Sequence, residues 1–322
     1  ALKTALTKVQ KAVHTSYVTL KGTGTTLAIH ASNGPQGCAK ATVAVSDGGD
    51  FVAQVDGNRL AAVLGGADAS QECVIQATKT TVRFKFGKAD IRFQVADEEP
   101  TLLEESRWVG AVSIGEKVSG ADLKNAFERV SPFAARNDVR YYLNGVLMTV
   151  RGGRLTLVAT DGFRLARLTT SVAVSEVPDS IIPISIADAL ATVLDSSSEV
   201  QIVTVGELES RGVGFRAENF EVMCPVIAGQ FPNFEKVMPN VETMTRATVN
   251  RKAALAVLER IAAVAEGSGG SRYVRVVIKE RKFEVLTLDE QSHDQADLET
   301  EVPFAKPMEM GFQPKLLIPA LA

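Results

Sequence analysis

Leu123-Lys124-Asn125-Ala126-Phe127, in the middle of the chain, restates a pattern that opens the sequence at Leu2-Lys3-Thr4-Ala5-Leu6. It returns at Ala254-Leu255-Ala256-Val257-Leu258. Each start has apolar residues at helical spacing, followed by strand-like stretches, a second short helical stretch and, in the first two copies, further strands. In the first copy Leu2, Leu6, Val9 and Val13 form one stripe, while Lys3, Lys8, Lys11 and His14 occupy the other faces without any acid. A period of roughly 120 residues lies far outside the range of about 20–50 found in solenoid units. The chain therefore reads as similar domains in series, residues 1–103, 104–240 and 241–322. The fold class is α+β, with helices on one face of antiparallel sheets.

Several elements can be placed along the copies. The turn Arg151-Gly152-Gly153-Arg154 joins two strands predicted at 140–150 and 155–159, as a glycine pair does in a tight hairpin. Further strands are predicted at 109–114, 164–169, 246–249 and 296–302, and helices at 58–64, 121–133, 186–194 and 252–265. Copy three stops at its second helix, without the meander that closes the other two, and copy one lacks the strand that precedes the first helix elsewhere. The sequence is accordingly expected to be a trimmed form of a longer protein, with a true fragment as the alternative.

Composition narrows the function. The 322 residues are 45% hydrophobic and 6% aromatic with a net charge of -3, so the chain is not basic in bulk. Local charge placement still permits a nucleic-acid surface. Cys38, Cys73 and Cys224 are far apart and form no CxxC spacing, which predicts buried free thiols rather than zinc or a disulfide framework. His14, His30 and His293 make no HExxH pair and no GxxxxGK[ST] occurs, so neither metal chemistry nor nucleotide hydrolysis is expected. Asp161-Gly162 is a turn signal before it is a catalytic one. Asp97-Glu98-Glu99 with Glu104-Glu105 read as a solvated linker. No catalytic residue, metal or cofactor is assigned. No apolar run reaches the length of about 20 residues that a membrane span needs, and a reducing cytoplasm is the expected compartment.

Copy two holds the most specific stretches: Asp138-Val139-Arg140-Tyr141-Tyr142-Leu143-Asn144-Gly145, Val158-Ala159-Thr160-Asp161-Gly162-Phe163-Arg164-Leu165-Ala166, and Gly229-Gln230-Phe231-Pro232-Asn233-Phe234 followed by Val237-Met238-Pro239. In this order and spacing they resemble the bacterial sliding clamps, the beta subunits of DNA polymerase III, with a bacteriophage relative also in scope. The resemblance is carried by motifs over residues 105–240 and by architecture in the other copies.

The resemblance implies three sliding-clamp domains per chain and a homodimeric ring around double-stranded DNA. Helices would line the hole and sheets would form the outer wall. It implies a non-catalytic processivity factor whose partners are the replicative DNA polymerase, the clamp loader and repair proteins, each bound through a short peptide. The DNA-facing candidates are Arg136, Asn137, Arg140, Tyr141 and Tyr142, with Lys3, Lys8 and Lys11 on the first helix. Lys124, Arg129, Arg251, Lys252 and Arg260 are weaker candidates on the other helices. Read as neighbours on one strand, the two tyrosines would point to opposite faces. The pocket for partner peptides would be lined by Leu143, Thr160, Gly162, Phe163, Arg164, Leu165, Pro232, Lys236 and Val237, with backbone groups near Gly162 bonding the peptide. Phe163 stands where the family often has His or Tyr, and Lys236 where it often has Arg. Ile91, Phe93, Ala263 and Val264 are the candidates for the dimer seam. A structural β-repeat protein without a DNA role is the competing class.

Overall fold

The computed structural model describes every residue except 35–36, 69, 98, 101, 104, 175–177, 207–211, 243, 245, 268–272, 299–303 and 322. Glu98 and Glu104 of the acidic linker lie outside the described residues. The chain forms two compact units, Ala1–Pro232 and Asn233–Ala322.

The first unit begins with α1 (Leu2–Ala12), β1 (Tyr17–Thr23), β2 (Thr26–Ser32), β3 (Cys38–Ala44), β4 (Phe51–Asp56) and α2 (Gly57–Gly65). A meander of β5 (Val74–Ala77), β6 (Thr81–Phe86) and β7 (Ala89–Gln94) follows. Two short strands, β8 (Val112–Ser113) and β9 (Val118–Ser119), lead into α3 (Gly120–Val130), β10 (Gly145–Arg151), β11 (Arg154–Thr160), β12 (Leu165–Ala173), β13 (Ser180–Pro183) and α4 (Ile184–Val193). A second meander, β14 (Glu199–Val205), β15 (Gly212–Ala217) and β16 (Phe220–Pro225), closes this part. The second unit holds α5 (Arg251–Gly267), β17 (Val274–Glu280), β18 (Lys282–Thr287), β19 (His293–Asp297), β20 (Phe304–Phe312) and α6 (Pro314–Leu321).

The repeat is visible in the hydrogen-bonding order. The four strands after the first helix run β3-β2-β1-β4, then β12-β11-β10-β13, then β19-β18-β17-β20, one topology three times. Local chemistry sets the boundaries. Asp56 caps α2 by accepting the Arg59 N–H at 2.9 Å, and Ser119 caps α3 by accepting the Asp122 N–H at 3.4 Å. Gly152 and Gly153 both have positive φ, 59° and 69°, between the paired Arg151 and Arg154, which is the two-residue turn that the strand twist favours.

Two copies share one unit because their sheets are joined. β3 pairs with β16 antiparallel, from Met223↔Cys38 to Phe220↔Ala41. The result is a nine-stranded sheet ordered β4-β1-β2-β3-β16-β15-β14-β8, with β9 also on β14. The join gives each of these strands a partner where an open edge would invite aggregation. Lys40 and Glu221, directly opposite across it, form an ion pair at 3.1 Å. On the same face of the sheet as this ion pair, Leu103, Trp108, Cys38 and Val203 form a small second core, and the Leu103 N–H bonds Nδ1 of buried His30 at 3.1 Å. Trp108 lies over Gly214, where a Cβ would come within 2.2 Å of its ring. The linker between the copies therefore straps their joint.

The helices pack as a row. α1 lies against α2 and α4, and α3 against α4. The stripe read on α1 is its buried face: Leu6, Val9 and Val13 are all at most 1% exposed. In the second unit α5 buries Val257 and Leu258 against Val276 and Val285 of β17 and β18. Cys38 and Cys224 are buried free thiols and Cys73 is half-buried. Burial, with a smaller contribution from Cys38, pushes the Cys224 thiol up to about 12.

Four expectations need correction. The strand expected at 140–150 begins only at Gly145, because Tyr141–Leu143 form a 3₁₀ turn. The strand expected at 109–114 shrinks to Val112–Ser113. That expected at 246–249 is a single bridge, Val249↔Leu298. The strand expected at 296–302 lies earlier, at His293–Asp297, and residues 299–303 are outside the described set.

Candidate functional site

Two loops at one end of the β10–β12 sheet carry most of the candidate residues. In the first, Asn144 closes the loop on Asp138: its Oδ1 accepts the Asp138 N–H and its Nδ2 donates to the Asp138 carbonyl, both at 2.9 Å. The Asp138 carboxylate then takes three bonds from Arg140: the backbone N–H at 2.8 Å, Nε at 2.9 Å and the guanidinium NH2 at 2.7 Å. The Arg140 side chain, and next its backbone N–H, hold the Asp138 carboxyl down to about 2. Tyr141 and Tyr142 ride on this loop, their rings edge to face with centroids 5.8 Å apart. As parts of a 3₁₀ turn they are not strand neighbours on opposite faces, which removes the ground for treating one of them as plain packing. Tyr141 is 56% exposed and its ring lies over Gly229, while Leu143 is buried beneath.

The second loop is built the same way. Asp161 Oδ1 accepts the N–H groups of Phe163 and Arg164 at 2.9 and 3.0 Å, and its Oδ2 accepts Nε of Arg164 at 3.0 Å. Burial pushes the Asp161 carboxyl up, but these bonds outweigh it and hold the group below its usual range. The Gly162 N–H goes to Thr160 Oγ1 at 3.0 Å, and that hydroxyl donates to the Arg164 carbonyl at 2.7 Å. The N–H groups of residues 162–164 are thus all spent inside the loop. The expectation that backbone groups near Gly162 bond a peptide fails for its donors. Arg164 is spent too: it donates to the Pro132 carbonyl at 2.6 Å and its guanidinium covers the Phe133 ring at 4.9 Å. It fastens the loop to the end of α3. Phe163 stands out at the tip, 84% exposed. Leu165 and Thr160 are half-buried, and Pro232 is exposed at the end of the first unit. Lys236 and Val237 belong to the second unit, exposed on the 3₁₀ turn Phe234–Val237.

Arg140 joins the two loops. Its NH2 donates to the Asp161 carbonyl at 3.4 Å, and its guanidinium packs on Gly162, whose φ is +90°. The sequence places Asp138 and Asn144 in this motif without giving them a role, and Phe133 is not among its site residues. The signal for the first was local: an Asp two residues before an Arg (Asp138) matches the Asx turn that Asp161 also makes.

The remaining cations differ in availability. Arg136 is paired with Asp188 of α4 at 2.8 Å, and Asn137 has a positive φ of 61°. Lys3 donates to the Gly65 carbonyl at 3.4 Å. Lys8 and Lys124 both act on Asp195, whose carboxyl Ser197 already holds low. Lys11 lines an open polar depression of ≈ 550 Å³ with Thr7, Gln10, His14 and Asn58. In the second unit Arg251 donates to the Leu321 carbonyl at 2.8 Å and Arg260 pairs with Asp294 at 2.5 Å, so neither is a bare cation. Lys252 is exposed, and Arg129 bonds Asn125 at 3.0 Å. Of the seam candidates, Phe93 is buried against Phe84, centroids 5.4 Å apart, and so belongs to a core. Ile91 is half-buried, and Ala263 and Val264 are exposed. Among the described residues no group of three metal-ligating side chains converges, and no helix is long and apolar enough to cross a membrane.

The pH dependence of the first loop follows from Asp138. Its carboxyl titrates at about 2, below the ordinary value near 4. The Arg140 pair is whole above about pH 4 and is lost as pH falls toward 2. Hydrogen exchange of residues 138–144, read against a global unfolding probe, is expected to quicken over that window before the chain unfolds. Protection unchanged when the pH is taken well below 2 would contradict the assignment.

Copies that pair two helices with a four-stranded sheet of constant strand order define the class, that of the sliding-clamp fold. Comparison with known proteins agrees. Residues 117–233 match the central domain of the DNA polymerase III beta subunit. The beta sliding clamp of Pseudomonas aeruginosa is 34% identical over 147 residues, 45% of this chain and 38% of that protein. That of Chlamydia muridarum is 29% identical over 142 residues, 44% of this chain and 37% of that protein. These alignments span under two fifths of the relatives' length. In structure, a Pseudomonas aeruginosa DNA polymerase sliding clamp superposes with a TM-score of 0.80 at 22% identity, over 99% of this chain and 87% of that one. The Helicobacter pylori beta clamp bound to a DNA ligase peptide gives 0.77 at 15%, over 99% and 88%. Residues 117–233 are thus similar to the central domain of the DNA polymerase III beta subunit, and the chain as a whole has the fold of the sliding clamps.

Proposed function

We propose that this protein is a DNA sliding clamp: a non-catalytic processivity factor that encircles duplex DNA as a homodimer and tethers a replicative polymerase, a clamp loader and repair proteins through short peptides. The observation that carries the reading is the match of residues 117–233 to the clamp central domain, with both site loops inside it. The three domains would run 1–103, 104–240 and 241–322, and the compartment would be the bacterial cytoplasm. Tyr141 and Tyr142 would stack on exposed bases or touch the DNA backbone, since a tyrosine ring stacks on any base. Phe163, Leu165 and Pro232, with Leu143 buried beneath the tyrosine turn, would receive the apolar side chains of a partner peptide. Lys3, Lys8 and Lys11 would give weak contacts to phosphates, which tolerate movement along the duplex.

Topology is the test. Protein loaded by a clamp loader onto nicked circular DNA is expected to stay with the circle through gel filtration and to leave once the circle is linearised. Equal retention on both forms would mean ordinary binding, and the structural-repeat reading would then stand.

A further inference from the structure

We propose that Arg140 is a latch between the tyrosine turn and the Phe163 loop, and that Asp138 is the positioning residue that sets it. The inference rests on the sliding-clamp reading for its ligands, but its mechanical part does not. As a phosphate ligand Arg140 is poorly placed. Its fork is matched by the Asp138 carboxylate through Nε and NH2, so its charge is largely answered within the loop. What remains of its reach goes to the other loop, to the Asp161 carbonyl and the face of Gly162. Asp138 itself is fixed by the reciprocal pair with Asn144. An unbroken chain of bonds therefore runs from Asn144 through Asp138 and Arg140 to Asp161, whose carboxylate orders Phe163 and Arg164. Whatever holds the tyrosine turn in place also favours one placement of the Phe163 loop. Reciprocity of linkage requires the converse, so DNA on the tyrosines and a peptide on Phe163 each alter the other's affinity.

The latch and the plain-charge reading give opposite signs for one substitution. Asp138→Asn removes a negative charge from a surface facing DNA. If Arg140 were a simple phosphate contact, freeing it would strengthen DNA binding and leave peptide binding alone. As a latch, the loss of its carboxylate lets both loops wander. We expect Asp138→Asn to weaken binding of a primed DNA duplex and of the DNA ligase peptide used with the Helicobacter pylori clamp, each about 3- to 10-fold. Arg140→Lys keeps the charge but loses the planar fork, and is expected to behave the same way. Hydrogen exchange supplies a readout free of any ligand: in either variant residues 160–165 should exchange faster, although neither substitution lies in that segment. Tighter DNA binding by Asp138→Asn, or unchanged exchange at 160–165 in both variants, would overturn the latch. If wild-type protein bound neither probe while exchange at 160–165 still rose, the clamp reading would fail and the latch would stand.

Discussion

Phe127→Ala is expected to cost about 3–5 kcal/mol of stability, the range for emptying a buried phenylalanine site. Phe127 is fully buried on α3, and its ring meets Phe215 of β15 edge to face, centroids 5.9 Å apart and planes at 78°. Such a pair contributes about 0.5–1.5 kcal/mol beyond the burial of the two rings. The position also lies in the core that the two joined copies share, so the cavity cannot close by moving one copy alone. Thermal denaturation should show the first unit melting roughly 10 °C lower, since each kcal/mol shifts the midpoint of a domain this size by about 2–4 °C. Val139→Ala is the control: at 95% exposure it should move stability by no more than about 0.5 kcal/mol. A Phe127→Ala midpoint within 3 °C of wild type would contradict this account of the core.

The same residues show what a single sequence can and cannot reveal. The α1 stripe and the Arg151–Arg154 hairpin are legible because they depend on local rules, a 3.6-residue period and two glycines at positive φ. The recurrence of the helix start was enough to suggest the repeat. The β3–β16 join was not legible, because it pairs residues some 180 positions apart and leaves no period in the chain. The tyrosine turn was misread for a different reason. Tyr-Tyr-Leu has high strand propensity, but Asp138 and Asn144 bind each other across it and curl the backbone first. The charged candidates were the least legible. A sequence shows that Arg136, Arg140 and Arg260 are cations, whereas it is the fold that brings Asp188, Asp138 and Asp294 beside them.

Phe163 is where the largest functional effect is expected. The Phe163 ring is 84% exposed at the tip of its loop, so its apolar face is open to a partner. The loop beneath is rigid: Asp161 holds Phe163 and Arg164 by their N–H groups, and Arg164 is anchored on Pro132 and Phe133. A ring presented on a fixed support loses little freedom on binding, which is the usual character of an interface hot spot. Phe163→Ala is therefore expected to weaken the DNA ligase peptide by about 2 kcal/mol or more, roughly 30-fold in Kd. Because the ring contributes nothing to the core, the melting midpoint should stay where it is. The two readouts together separate a docking residue from a folding one. A peptide affinity within threefold of wild type would move the partner site away from this loop. A large fall in stability would mean that Phe163 is covered by the protein itself and not waiting for a partner.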